Sequence, residues 1–366
     1  MGRDPSSCSP EVPTGSLPLA APLSHWLPRP LTLGATLAAL PALLLACAAP
    51  TPQPKATAGA PSNTPSGRSG QSLEVMATFL PITLLTRAVA GDCARVSTLV
   101  PPSLGPHDFQ AKPGDLLALR RSRVLVKNGL GMEGFLEKMI AAADPPNLTV
   151  IDSSRGVATL TGASNDKAKA DEPPARGDHD HSHGHDHGHD HVAVNPHIWL
   201  DPLRAAQQVA NIRDGLIQAD PGCASGYRQR AAATTAQLRQ LNSDFAAQLK
   251  PYRGKTFAAF HDVAPYFADR YGLKAVFLVD VPEMNPTPAA LERLSAEVKR
   301  GDLRALLSEP QEGGRSFQSL ASDLGVAISV FDPLETGSAE DAADPDTYAR
   351  VMRRNVANLT RALGGR

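Results

Sequence analysis

Leu73-Glu-Val-Met-Ala-Thr-Phe79 alternates in hydropathy, and the chain then runs through Pro81 into an apolar-periodic stretch over 82–90 that stops at Gly91. Short alternation predicts a strand. A periodic run that opens on proline and closes on glycine predicts a helix. Residues 94–100 predict a second strand, 115–121 a helix, 123–127 a strand, 132–143 a helix and 148–151 a fourth strand. Strands that alternate with helices argue for a parallel sheet covered by helices.

Outward from this block, residues 154–192 lose periodicity and are expected to form a long mobile insertion. Residues 202–219 and 223–250 then predict helices separated by Asp220-Pro221-Gly222. The second of these, at about 28 residues, would be roughly 40 Å long, enough for a rigid strut between two bodies. Beyond Gly254 the alternation restarts, with strands over 256–260, 274–279, 304–307 and 327–330 and helices over 263–271, 288–300, 315–324 and 346–363. The expected fold is α/β, two lobes, each a parallel sheet flanked by helices, joined by one long linker helix. The first lobe covers 73–220, including a loop over 162–192; the linker covers 221–252 and the second lobe 253–366.

At 366 residues the chain exceeds one comfortable core, which agrees with two lobes. A net charge of -1 and 20% charged residues give no reason to invoke nucleic acid. The first 72 residues are of another kind. Arg29 precedes an apolar stretch over 31–45 that ends in Leu44-Leu45-Ala46-Cys47, the parts of an export signal over 1–46. Cysteine directly after Leu-Leu-Ala resembles a lipobox, with Cys47 the acylated first residue of the mature chain. Residues 47–72, rich in Pro, Thr, Ala, Gly and Ser, read as a disordered tether. Of the exported cysteines, Cys93 and Cys223 remain, and spacing alone leaves open whether they pair.

Chemistry concentrates in the histidines. His179, His181, His183, His185, His187, His189 and His191 occupy every second position of Asp178-His-Asp-His-Ser-His-Gly-His-Asp-His-Gly-His-Asp-His191, seven of the chain's 11 histidines. Imidazole is the commonest side-chain ligand of transition metals, so this run reads as an auxiliary metal-binding loop. His25 lies in the export signal. The other three, His107, His197 and His261, each lie just past a predicted strand or at the entry to a helix. In open α/β sheets, ligands bind off the carboxyl ends of strands. Asp332 shares that position after the last strand. Three imidazoles and one carboxylate satisfy a tetrahedral Zn2+ site. Taken singly, each histidine also reads as an ordinary hydrogen-bonding residue, and Asp332, placed before Pro333, as a plain turn residue.

Pro106-His107, Asn195-Pro-His-Ile-Trp-Leu-Asp201, Phe260-His-Asp-Val-Ala-Pro-Tyr-Phe267, Ser308-Glu-Pro-Gln311 and Phe331-Asp-Pro333, with a His/Asp-rich loop between the first and third, carry a resemblance. Together they resemble the zinc-specific solute-binding proteins of bacterial ABC importers, the ZnuA-like members of the cluster A-I family, from residue 73 to the C-terminus. The resemblance implies His107, His197 and His261 as ligands, with Asp332 as a fourth or nearby carboxylate. It also implies an exported monomer at the outer face of the cytoplasmic membrane, lipid-anchored, that passes Zn2+ to an ABC permease and its ATPase. Manganese-specific relatives carry Glu at the position of His261, and a third imidazole favours zinc. Two other readings compete, a manganese-type metal-binding adhesin and a secreted zinc hydrolase. The hydrolase reading has only Glu309 as a tempting carboxylate, with no His-Glu-x-x-His pair, and no enzyme is expected.

Overall fold

The computed structural model describes residues 72–160, 194–279, 286–300, 303–310 and 315–364. The export signal, Cys47, all but the last residue of the tether and the histidine run lie outside the described residues. In the first lobe the chain runs β1 (Leu73–Ala77), α1 (Leu80–Ala90), β2 (Ala94–Thr98), α2 (Pro113–Arg121), β3 (Val124–Lys127), α3 (Leu136–Ala143) and β4 (Thr149–Asp152). Helices α4 (Pro202–Ala219) and α5 (Ala224–Leu249) follow. The second lobe holds β5 (Thr256–His261), α6 (Pro265–Tyr271), β6 (Lys274–Val279), α7 (Pro288–Lys299), β7 (Leu303–Ser308), α8 (Arg315–Leu324), β8 (Ala327–Val330), α9 (Ala339–Ala343) and α10 (Thr347–Gly364).

Each lobe holds a parallel four-stranded sheet, in the orders β2-β1-β3-β4 and β6-β5-β7-β8. The two orders are the same topology, so the crossover direction reverses between β1 and β3 in one lobe and between β5 and β7 in the other. Off the carboxyl ends of strands at such a reversal is where an open parallel sheet leaves a crevice for a ligand.

Two segments of the first lobe differ from the sequence expectation. Helix α3 begins at Leu136 rather than at 132, because Gly129, Leu130 and Gly131 all take positive φ (89°, 58° and 81°) and make a turn after β3. The Glu133 carboxylate holds that turn by accepting from the backbone N–H groups of Asn128 and Gly129. Residues 154–160, expected to belong to the mobile insertion, are instead packed: Val157 is buried against Ile198 and Tyr266, and Leu160 packs against them.

The strut is α5, 26 residues and therefore about 39 Å long. Its buried face, Tyr227, Ala231, Leu238, Leu241, Phe245 and Leu249, recurs at steps of three, four or seven residues and packs on α1, α4 and α10. One hydrophobic cluster runs through it, from Val75 and Leu125 of the first lobe to Phe257, Leu307 and Leu363 of the second. Cys223, just before α5, forms a disulfide with Cys93 at the start of β2, with a Cα–Cα separation of 6.1 Å. Beside it, Arg230 donates to the carbonyls of Val89 and Ala90 and so closes the last turn of α1. Gly91, at φ 48°, is where that helix stops, and a Cβ there would strike the Arg230 side chain. None of the helices among the described residues is long and apolar enough to cross a membrane.

Candidate metal centre

His107, His197 and His261 converge. His107 leaves the loop between β2 and α2, His197 opens a single 3-10 turn before α4, and His261 is the last residue of β5. The fourth member is Glu335, in the loop between β8 and α9. The donor atoms of these four side chains all lie within 4.8 Å of one another. One Glu335 oxygen, Oε1, lies 3.0 Å from His197 Nε2 and 3.4 Å from His107 Nε2. The other, Oε2, lies 3.7 Å from His261 Nε2. His197, His261 and Glu335 are buried, and the His107 side chain keeps 16% of its exposure, which makes it the rim of the site.

Asp332 is not in this group, which corrects the sequence expectation. Its Oδ1 accepts from the Leu334 N–H at 2.8 Å and its Oδ2 from Arg354 at 2.9 Å. It makes the turn that the bland reading of an Asp before proline predicts. Glu335, three residues on, was missed. The signal for it was there: a second carboxylate on the same strand-end loop, past the proline.

Two of the clustered imidazole rings are oriented from behind. The Asn195 side chain donates through Nδ2 to the carbonyl and carboxylate of Asp262, which leaves Oδ1 to accept from the backbone N–H and Nδ1–H of His197, both at 3.0 Å. His261 Nδ1 lies 2.5 Å from Glu309 Oε1. With Nδ1 of each ring turned to its partner behind, Nε2 is the ring atom that points into the cluster. This carboxylate or amide partner behind a ligating imidazole is the usual outer support of a metal site. Glu309, considered above as a hydrolytic base, is therefore occupied in holding His261.

Beyond Asn195, the segment that carries His197 is tied into the second lobe at three further places. Trp199 Nε1 donates to the Pro333 carbonyl at 2.8 Å, and Tyr348 donates to the Trp199 carbonyl at 2.6 Å. Asp201, buried, caps α4 through the Leu203 N–H and accepts from Arg270 at 2.7 to 2.9 Å and from Arg204. From the first-lobe side, Asn128 donates to the Pro196 carbonyl.

Electrostatics fit a cation. Burial favours the neutral form of His197 and lowers its pKa to about 4 despite Glu335. Burial acts in the same direction on His261, but the flanking Glu335 and Glu309 carboxylates outweigh it and raise its pKa to about 10. Burial alone would raise the Glu335 pKa, yet charge on His261 and the imidazoles around it hold it well below the ordinary carboxylate value. His261 Nε2 and Glu335 Oε2 are buried without a hydrogen-bond partner among the described residues. Buried polar atoms are rarely left so, and a metal ion is one partner that would satisfy both. Tetrahedral Zn2+ at about 2.1 Å from each donor needs donors roughly 3.4 Å apart, and the Glu335 oxygens lie 3.0, 3.4 and 3.7 Å from the three imidazoles in a group whose donors are all within 4.8 Å of one another.

Known proteins carry the same arrangement of elements. The family model of ZnuA, zinc-uptake complex component A, periplasmic, matches residues 75–362. The zinc-binding lipoprotein AdcA of Streptococcus pneumoniae is 29% identical over 288 residues, 78% of this chain and 55% of the relative. This chain thus spans about half the length of such relatives. The high-affinity zinc uptake system protein ZnuA of Bacillus subtilis is 27% identical over 295 residues, 80% of this chain and 88% of the relative. The crystal structure of the Zn(II)-bound ZnuA-like domain of Streptococcus pneumoniae AdcA superposes with a TM-score of 0.64 at 25% identity, over 80% of this chain and all of that one.

Proposed function

The chain belongs to the family of ZnuA, the periplasmic zinc-uptake complex component A, and on that premise we propose that it captures Zn2+ outside the cytoplasm and delivers it to an ABC permease and its ATPase. The observation that carries the reading is the convergence of His107, His197, His261 and Glu335 from both lobes and the loops around the linker. Three imidazoles and one carboxylate suit zinc better than manganese, which prefers oxygen donors. The same count argues against a hydrolase. A catalytic zinc keeps three protein ligands and an open position with a free base beside it. Here a fourth protein ligand closes the site, and Glu309 is engaged by His261.

The histidine run of 178–191 acts in this reading as a secondary zinc binder, dispensable for the tight site. Fixing a flexible segment around an ion costs about 1–2 kcal/mol per residue in backbone entropy, and a preformed cluster avoids most of that. Calorimetric titration of the chain with and without residues 178–191 tests both statements. The deletion should lower the number of zinc ions bound and leave the tightest event within a few-fold, with manganese a weak competitor. Loss of the tight event on deletion would make the run part of the primary site.

Cys47 is proposed as the lipid attachment point, with 48–72 as the tether, holding a monomer at the outer face of the cytoplasmic membrane beside the permease. The family match and the Leu-Leu-Ala-Cys motif support it. Mass spectrometry of the native N-terminus should find acylated Cys47, and an unmodified terminus elsewhere would rule it out.

A further inference from the structure

We propose that Asp332, without touching the metal, is a positioning residue that sets the direction of the Glu335 carboxylate by holding Leu334 in a left-handed backbone conformation. This rests on the assignment of Glu335 as a zinc ligand.

Leu334 has φ 64°, a conformation that L-residues with a Cβ rarely adopt and that is held only where the surroundings impose it. The imposition is local. Asp332 Oδ1 accepts from the N–H of Leu334, two residues on, at 2.8 Å, closing an Asx turn. Asp332 is itself clamped by Asn355 of α10, which accepts from its N–H at 2.9 Å and donates to its carbonyl at 2.7 Å. Pro333 adds rigidity between them, and its carbonyl accepts from Trp199. The Leu334 side chain is buried, so the left-handed twist also anchors the turn in the core. Past that twist, Glu335 faces all three imidazoles. An extended Leu334 would rotate the following residue away from them, since one backbone torsion redirects everything beyond it. The residue that sequence reading offers as a ligand thus has a different part: it aims the ligand.

The test uses the full chain, Zn2+ measured by competition with a chromophoric chelator, and Co2+ absorption as a reporter of coordination. Loss of a supporting residue around a metal site weakens binding about 10- to 100-fold, and D332A should fall in that range. D332N keeps an Asx acceptor and should bind within a few-fold of the native chain, with D332S in between. That ordering of Asn above Ser holds even if the alanine variant fails to fold. Adding Leu334→Gly to D332A should restore much of the affinity, because glycine adopts positive φ without the Asp332 bond. A general loss of stability would not be repaired by a glycine. The Co2+ spectrum of D332A should lose the intensity of a four-coordinate site and move toward that of E335A. On the E335A background, D332A should have no further effect. The inference is overturned if folded D332A binds zinc like the native chain, or if D332A and E335A weaken binding by independent factors. Native-like binding by E335A would overturn the ligand assignment first and the inference with it, whereas weak E335A beside native-like D332A overturns the inference alone.

Discussion

His261→Ala should abolish the tight zinc event, weakening it by about three orders of magnitude. Four-ligand zinc sites are worth about 10–16 kcal/mol at neutral pH, so one ligand accounts for about 3–4 kcal/mol, or 100- to 1000-fold. The imidazole is also the partner of Glu309, and its removal leaves a buried carboxylate without that contact, a further penalty. A second readout separates ligation from packing. With a pKa raised to about 10, His261 carries a proton at pH 7 in the metal-free state, and zinc must displace it to reach Nε2. Each zinc bound should therefore release about one proton. Affinity should fall about tenfold for each pH unit lowered below 10, with His197 adding to the loss below about 4. Calorimetry in buffers of different ionisation enthalpy measures this release, and H261A should eliminate it. Native-like affinity in H261A, or no proton release in the native chain, would refute the assignment.

The second large effect concerns stability. Cys93 and Cys223 close a loop with a sequence separation of 130, and the chain-entropy estimate for a loop of that size is about 4–5 kcal/mol. Replacing both by serine should lower the thermal midpoint by roughly 10 °C, at about 2–4 °C per kcal/mol for a chain of this size. Zinc affinity should change little, because the bond fastens the start of α5 to β2 and neither Cys93 nor Cys223 is among the ligand residues. Identical melting of the oxidised and doubly substituted chains would show that the bond does not constrain the unfolded state as this estimate requires.

Much of this architecture was legible in the sequence for a physical reason. Parallel strands buried on both faces read as apolar runs, as Val124-Leu-Val-Lys127 and Thr256-Phe-Ala-Ala-Phe260 do, and long helices such as α10 carry a clear period. The three clustered histidines were legible because few histidines lie outside the run. What failed was the choice between two carboxylates three residues apart. Asp332 and Glu335 share one loop, and only Glu335 joins the three histidines, past a Leu334 whose positive φ no local pattern encodes. The short helix α9 was equally silent, five residues with a Ser338–Asp341 capping box. The pairing of Cys93 with Cys223 needed the docking of α5, a contact between distant parts of the chain.

The shared core has a consequence for how a transporter would read this protein. Swinging the lobes wide apart would expose the apolar side chains that α5 contributes to both, such as Leu238, Leu241 and Phe245, at about 25 cal/mol for every Å2 wetted. A single ion has no contact with that distant surface through which to repay the exposure. The outer silhouette of the molecule should therefore be much the same empty or full. News of the cargo must be displayed at the mouth of the site, in the arrangement of the His107 and Glu335 loops, which meet where the Gly337 N–H donates to the Pro102 carbonyl. A receptor tuned to loaded protein would have to inspect that small area, much as a customs officer checks a seal rather than weighing the lorry.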